Sequence, residues 1–365
     1  MINDASARSL RLVILNLYIN LSFVLLSIVN YLSLICDRAS FDFSDAKLYH
    51  NISMKVFAGK SYYDSAKLEL TRSGYPIAYL FNWRTPLYSY ITGSYGNPQF
   101  NDFVIYIIPV LIVAMTFHVV RKELDTYTTF GSALFVAGYV GFCDDPDAIY
   151  FSEFLASLAI YMSIMLYLMD YRLSSIILGV FALFLRELSS IYCIAAMLIS
   201  MIDRRGRDAI IWVIAVVCYL IHFALHSIEV IRRIPGGFHG FGWSRWLVFG
   251  GYSFIIKTAR MNLILSYLPE WFVIVYLPLS IIGILQLKGV RFRLLKTVTI
   301  AYLLTFGVAG RNFNFYWGWF YSANLALGFP VFMRNVFRSG SGIRLYIMTL
   351  IHKYKYRRSI ELEDL

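Results

Sequence analysis

Two aspartates open the polar stretch, 37–102, that separates the first long apolar run from the second. Asp42 and Asp45 stand three residues apart. A carboxylate in such a place can take a proton from a reacting hydroxyl, or it can cap a helix. The residues alone leave those two roles balanced. They leave the two aspartates balanced as well, because a spacing of three puts both on one face of a helix that starts early enough. The complementary feature is a set of arginines. Arg84, Arg186 and Arg311 each stand at an end of an apolar run, among apolar or aromatic neighbours. Charge at such a boundary is costly and tends to be kept for function. A guanidinium also matches a phosphate group with two parallel hydrogen bonds. The competing readings are an ion pair of Arg186 with Glu153 or Glu187, and snorkelling of Arg311 to the interface.

A second acidic group lies in CDDPDAIYFSE, where Asp144, Asp145 and Asp147 are candidates for holding an acceptor or a divalent cation. A turn rich in Asp and Pro is the competing reading. Glu153 heads an apolar run and reads as a helix-start carboxylate. His222 and His226 share a helix face at a spacing of four but have no third ligand nearby, so they read as packing residues. The four cysteines show no CxxC spacing and suggest no metal or redox motif. The 28 tyrosines and 7 tryptophans supply an aromatic belt, from which Tyr49, Trp243 and Trp317 are candidates for stacking on a ring.

The elements that must position these residues follow from composition. The chain is 59% hydrophobic and 15% charged, whereas soluble domains carry roughly a quarter charged residues. A polytopic all-α membrane protein is expected. The net charge of +11 would suit nucleic acid, but Lys and Arg cluster at the ends of apolar runs, the positive-inside signature. A membrane is therefore the expected partner and nucleic acid is not. About ten transmembrane helices are predicted, at 12–36, 103–120, 126–143, 154–169, 173–185, 188–202, 209–228, 271–287, 297–310 and 312–333. The fifth and sixth are read as two short spans turning at Arg186-Glu187, because that puts DRRGR on the same side as Arg8, Arg121 and Arg172. Arg8 and Arg11 precede an apolar run with no small-residue cleavage site, so the first run is expected to stay as a span. Residues 1–338 then form one transmembrane domain with outer loops 37–102 and 229–270, both termini cytoplasmic, and 339–365 a basic tail. Within the first outer loop, Leu48, Ile52, Val56 and Phe57 predict an amphipathic helix over 44–58, stopped by Gly59 and lying on the outer membrane face. Apolar pieces at 246–256 and 261–268 are interrupted by Lys257 and Arg260 and read as interfacial or re-entrant.

The run from Asp42 to Tyr49, followed by Phe57 to Asp64, resembles the start of the GT-C superfamily of integral membrane glycosyltransferases, of the polyprenyl-phosphate-sugar-dependent mannosyl- and aminoarabinosyltransferase type. Such proteins carry an aspartate after the first span, a tyrosine about four residues on, an amphipathic helix, and then a glycine and a tyrosine. Asp45, Tyr49, Gly59 and Tyr63 fill that order here. NWRTPLY, GVFALFLRELSSIY and GRNFNFYWGWFY are similar to later segments of the superfamily. The resemblance implies a GT-C-like fold in a cell membrane, probed best as a bacterial one. It implies inverting transfer of a sugar from a polyprenyl-phosphate donor to a lipid- or glycan-linked acceptor at the outer face. It favours Asp45 over Asp42 as base, gives Arg84, Arg186 and Arg311 to the donor phosphate, and has the loop 235–245 close over the donor. Two rivals are a polysaccharide polymerase or ligase, in which Arg232, Arg233 and His239 would matter most, and a lipid-linked sugar transporter, which calls for mid-span charges and broken helices in matched halves.

Overall fold

The computed structural model describes residues 4–35, 44–234, 240 and 248–338. Among them the chain is helical, with no strand. Three helices are long and apolar enough to cross a bilayer: α1 (Asp4–Ile35), through its segment Leu12–Ile35, α5 (Pro98–Arg121) and α10 (Gly206–Ile231). Only 17% of the apolar window of α1 and 28% of that of α10 is buried, against 61% for α5. Leu15, Phe23 and Val24 on α1, and Ile214, Leu220 and Leu225 on α10, point outward. Contiguous apolar surface of that extent is stable against lipid and not against water.

The remaining apolar runs form shorter helices of 13 to 17 residues: α6 (Thr126–Val140), α7 (Ser152–Leu168), α8 (Arg172–Leu185), α9 (Ser190–Ile202), α13 (Glu270–Gln286) and α14 (Arg293–Val308). At 1.5 Å per residue they reach about 20–26 Å, short of a hydrocarbon core of about 30 Å. A last helix, α15, occupies 319–338. It meets α13 backbone to backbone. A Cβ on Gly283 would stand 1.9 Å from the Gly328 carbonyl oxygen, and one on Gly328 2.0 Å from that of Ser280. Small residues at a helix crossing permit such an approach.

The expected break after α8 is present. Arg186 leaves helical geometry (φ −151, ψ 126) and the chain returns as α9. Cys193 Sγ meets the Gly179 carbonyl at 3.6 Å, as an antiparallel return about Arg186 requires.

The first loop departs from its expected place. The helix α2 (Ser44–Phe57) forms as predicted and stops at Gly59, whose φ of +81 is the left-handed geometry of a C-terminal glycine. Protein covers most of its apolar stripe, however, leaving Phe57 exposed. Ala46, Tyr49, Ile52 and Val56 are buried against α3 (Tyr62–Arg72) and α4 (Pro86–Gly93). Ser53 and Thr92 share a hydrogen bond of 2.6 Å, and a Cβ on Gly93 would stand 2.8 Å from the Ser53 carbonyl oxygen. The protein itself covers the stripe, because polar turns on either side fold α3 and α4 back over it. In the second loop, α11 (Gly251–Ala259) and α12 (Leu263–Tyr267) bury Phe254, Ile255, Ala259 and Leu265. They are packed into the fold. Arg260 holds the end of this pair by donating to the carbonyls of Ser266 (3.2 Å) and Leu268 (3.1 Å).

Candidate functional site

Arg84 and Arg186 are far apart in sequence and meet on one carboxylate. Arg186 arrives at the break between α8 and α9. Arg84 arrives just before α4, where Thr85 donates to the Phe184 carbonyl at 3.0 Å and so ties the first loop to the end of α8. Glu153 lies in the first turn of α7, fully buried. Arg186 Nε stands 2.8 Å and Arg84 Nη2 3.6 Å from Glu153 Oε1. The second carboxylate, Glu187, is partly exposed; it contacts Arg186 Nη1 and lies 4.0 Å from Arg84 Nη1. Both partners that the ion-pair reading of Arg186 named are therefore engaged. Arg84 Nε is buried with no hydrogen-bond partner among the described residues.

Aromatic groups fix the cluster in place. The Tyr49 ring lies beneath Arg84, with its centroid 5.3 Å from Cζ. Tyr88 and Phe151 pack edge-on against it at 6.1 and 6.5 Å. Tyr49 thus holds a guanidinium by a cation–π contact; the ring is buried, and that corrects its assignment as a sugar-stacking surface. Burial pushes its hydroxyl up to about 12, opposed by Arg84 and reinforced by Asp45 and Glu153, so it stays a neutral phenol. Tyr62 donates a short hydrogen bond to the Arg84 carbonyl.

Asp45 lies in the first turn of α2, one turn before Tyr49 on the same face, and is half-buried. Tyr75 donates a short hydrogen bond to its Oδ1. Asp45, Arg84 and Glu153 are all within electrostatic reach of Tyr316, so the α2 carboxylate and the arginine pair border one region. Arg311 enters by another route. It begins the 3-10 segment Asn312–Gly318, which carries Tyr316 and Trp317 inward, and its backbone N–H donates to Asn314 Oδ1 at 3.3 Å.

Beside the cluster opens a cavity of about 630 Å³. Leu183, Ile194, Val216, Leu220, Phe223 and Phe306 supply much of its wall, and its charged lining residues are Arg186 and Glu187. Trp317 also lines it and packs on Phe306 at 5.2 Å. The Tyr219 hydroxyl, in the same wall, is buried with no hydrogen-bond partner among the described residues. An apolar space with two charged groups in its lining suits an amphiphile with an ionic head.

The acidic turn lies just ahead of Phe151 and Glu153 in the chain. Asp145 Oδ1 accepts from the backbone N–H of Asp147 (3.0 Å) and Ala148 (3.2 Å), the aspartate turn that composition offered as the competing reading. Burial, with Asp145 beside it, raises the Asp144 carboxyl above its ordinary value. The turn borders α2 through His50 and Tyr150, whose rings are 4.7 Å apart. Among the described residues no three His, Cys, Asp or Glu side chains gather into a set able to hold a metal ion. Arg232 and Arg233 are engaged with Glu229, and Arg233 also with Asp64. Asp42, Trp243, His239 and, apart from Gly240, the loop 235–245 lie outside the described residues.

Sequence reasoning missed the central place of Glu153 and the contributions of Tyr62 and Tyr316. The available signal was a lone carboxylate heading an otherwise apolar helix. Comparison with known protein families, with curated proteins and with solved structures gives no match. The class that the fold supports directly is an all-helical protein with three helices of membrane-crossing length and hydropathy.

Proposed function

We propose that this chain is an integral membrane glycosyltransferase of the GT-C type, with about ten membrane-crossing helices and both termini cytoplasmic. It takes a sugar from a polyprenyl-phosphate donor and passes it to a lipid- or glycan-linked acceptor at the outer face. The observation that carries the reading is the apolar cavity of about 630 Å³ with Arg186 and Glu187 in its lining, and with Arg84 on the same carboxylate as Arg186. A prenyl chain fits the walls and a phosphate fits the guanidiniums. Glu187 contacts Arg186 where the phosphate is to seat. It is the more exposed of the two carboxylates and swings away when the anion arrives.

In the reaction, Asp45 accepts the proton of the acceptor hydroxyl. The hydroxyl oxygen attacks the anomeric carbon from the face opposite the phosphate, and the bond from that carbon to the phosphate oxygen breaks. The electron pair stays on the departing polyprenyl phosphate, where Arg84 and Arg186 meet the charge. Tyr75 fixes the Asp45 rotamer through its hydrogen bond, and the configuration at the anomeric carbon inverts.

The test uses the purified chain in nanodiscs with a panel of radiolabelled polyprenyl-phosphate hexoses and pentoses and an envelope lipid extract as acceptor. The parent transfers label from at least one donor, and Asp45→Asn lowers the rate at least about 100-fold while melting as the parent does. A well-folded Asp45→Asn chain that transfers at the parental rate removes the base. Absence of any binding of polyprenyl phosphate removes the whole reading.

A further inference from the structure

Three helices begin at the far ends of the elements that reach the cavity. The α8 helix starts at Arg172, α10 at Gly206 and α14 at Arg293. Their N-cap residues, Tyr171, Arg205 and Phe292, make no side-chain capping bond. The positive end of each helix dipole therefore stands at that end without a side-chain cap. What lies there is a second cavity of about 500 Å³, with Arg172, Arg204, Arg205, Arg291 and Arg293 in its wall and Asp203 as its carboxylate.

These guanidiniums are held apart rather than left to wander. Asp203 receives Arg205 Nη2 at 2.6 Å and also contacts Arg293 Nη1. The Tyr167 ring is shared by Arg172, 3.9 Å from the centroid, and Arg205, 5.0 Å from it. Further acids offset part of the charge: Asp170 on Arg172, Asp208 near Arg205 and Glu123 on Arg291. Donors remain. Among the described residues Arg172 Nη1 and Arg205 Nε are buried with no hydrogen-bond partner, and Arg204 makes no ion pair.

Arg204 is also in the wrong backbone conformation for its type. Its φ is +56. It closes α9 with the paired bonds of a glycine stop, Arg204 N–H to the Met201 carbonyl at 3.0 Å and Arg205 N–H to that of Ser200 at 2.8 Å. Glycine takes that conformation freely and arginine does not.

We propose that this pocket binds the phosphate headgroup of an anionic phospholipid. The lipid source is favoured by the rim. Ile202 and Val290 line the same pocket and are more than half exposed, and Tyr171 and Leu173 beside them are equally bare. An apolar collar next to a basic pocket suits an acyl chain below a phosphate; a soluble anion has no need of it. The site is independent of the chemistry at Asp45, and either proposal can fail alone.

The experiment is lipid retention by the full-length chain in neutral detergent, read by native mass spectrometry with phosphatidylglycerol and phosphatidylcholine of equal chain length. Inorganic phosphate is titrated in parallel by calorimetry. The parent retains phosphatidylglycerol in preference to phosphatidylcholine. Arg204→Gly lowers that retention about fivefold while its melting temperature stays equal or rises, since the backbone is relieved. The pair Arg172→Gln and Arg293→Gln together abolishes the preference. Equal retention of the two lipids by the parent overturns the proposal, as does an Arg204→Gly chain with undiminished preference. Saturation by inorganic phosphate with no lipid preference also overturns it and assigns the pocket to a soluble anion.

Discussion

The substitution Glu153→Gln isolates what holds the arginine pair together. It keeps the side chain's volume and removes its charge. In the parent, Glu153 is fully buried and meets Arg186 Nε at 2.8 Å and Arg84 Nη2 at 3.6 Å. In the variant two buried guanidiniums face a neutral amide, and only Glu187 remains to balance them. Removing one partner of a buried pair costs about 3–5 kcal/mol. Each kcal/mol lowers the melting temperature of a large domain by about 2–4 °C, so a fall on the order of 6–20 °C is expected by tryptophan fluorescence in nanodiscs. The second arm adds polyprenyl phosphate. An anion that seats on Arg84 and Arg186 restores the missing charge and binds the folded state alone, so it stabilises the variant more than the parent. A variant melting within about 2 °C of the parent refutes the claim that charge organises the cluster. A ligand-induced shift no larger than the parent's refutes the claim that phosphate seats on it.

Further outcomes follow from the same geometry. Glu187→Gln removes the carboxylate that contacts Arg186 where the phosphate is to seat, so polyprenyl phosphate binds more tightly, by about tenfold for a charge-assisted contact of about 1.5 kcal/mol, as read by titration in nanodiscs; weaker binding rules out that seat. Gly328→Ala puts a methyl group 2.0 Å from the Ser280 carbonyl oxygen and costs at least about 1–3 kcal/mol, seen as a lower melting temperature and less monodisperse protein on gel filtration. Glu69 is buried and bound by Lys55, by Asn51 at 3.2 Å and by Arg72 at 3.7 Å. The Lys55 hydrogen bond leads in holding its carboxyl below the ordinary value of 4.5. Its stabilisation is therefore full above that value and drains away as pH falls below it. Glu69→Gln should cost about 1–3 kcal/mol at pH 7, with the gap to the parent narrowing in acid melts; a gap independent of pH contradicts the assignment.

Much of the helical framework was legible in the sequence, because apolar runs in a chain this poor in charge have one low-energy backbone. The break at Arg186 and the stop at Gly59 were legible for the same local reasons, the cost of charge within an apolar run and the freedom of glycine at positive φ. The environment of α2 was not. Its stripe has the period of a helix on a surface, and the sequence does not say whether lipid or protein supplies that surface. Tyr49 shows the consequence: an aromatic ring at helical spacing suits a sugar, a lipid interface or a guanidinium equally well, and Arg84 folding over it chose the last. The acidic turn was legible as a turn, since Asp145 accepts from backbone N–H groups two and three residues ahead.

Composition and spacing by themselves determined that the chain is apolar and helical, which residues bear charge at the ends of apolar runs, and that α2 begins beside Asp45. Only the tertiary structure decided that Arg84 and Arg186, about a hundred residues apart, share Glu153, and that Arg186 also lines an apolar cavity. The physical reason is that a buried charge must find its counter-charge somewhere. Sequence shows that the need exists, while packing of α4, α7 and the turn after α8 selects which partner meets it.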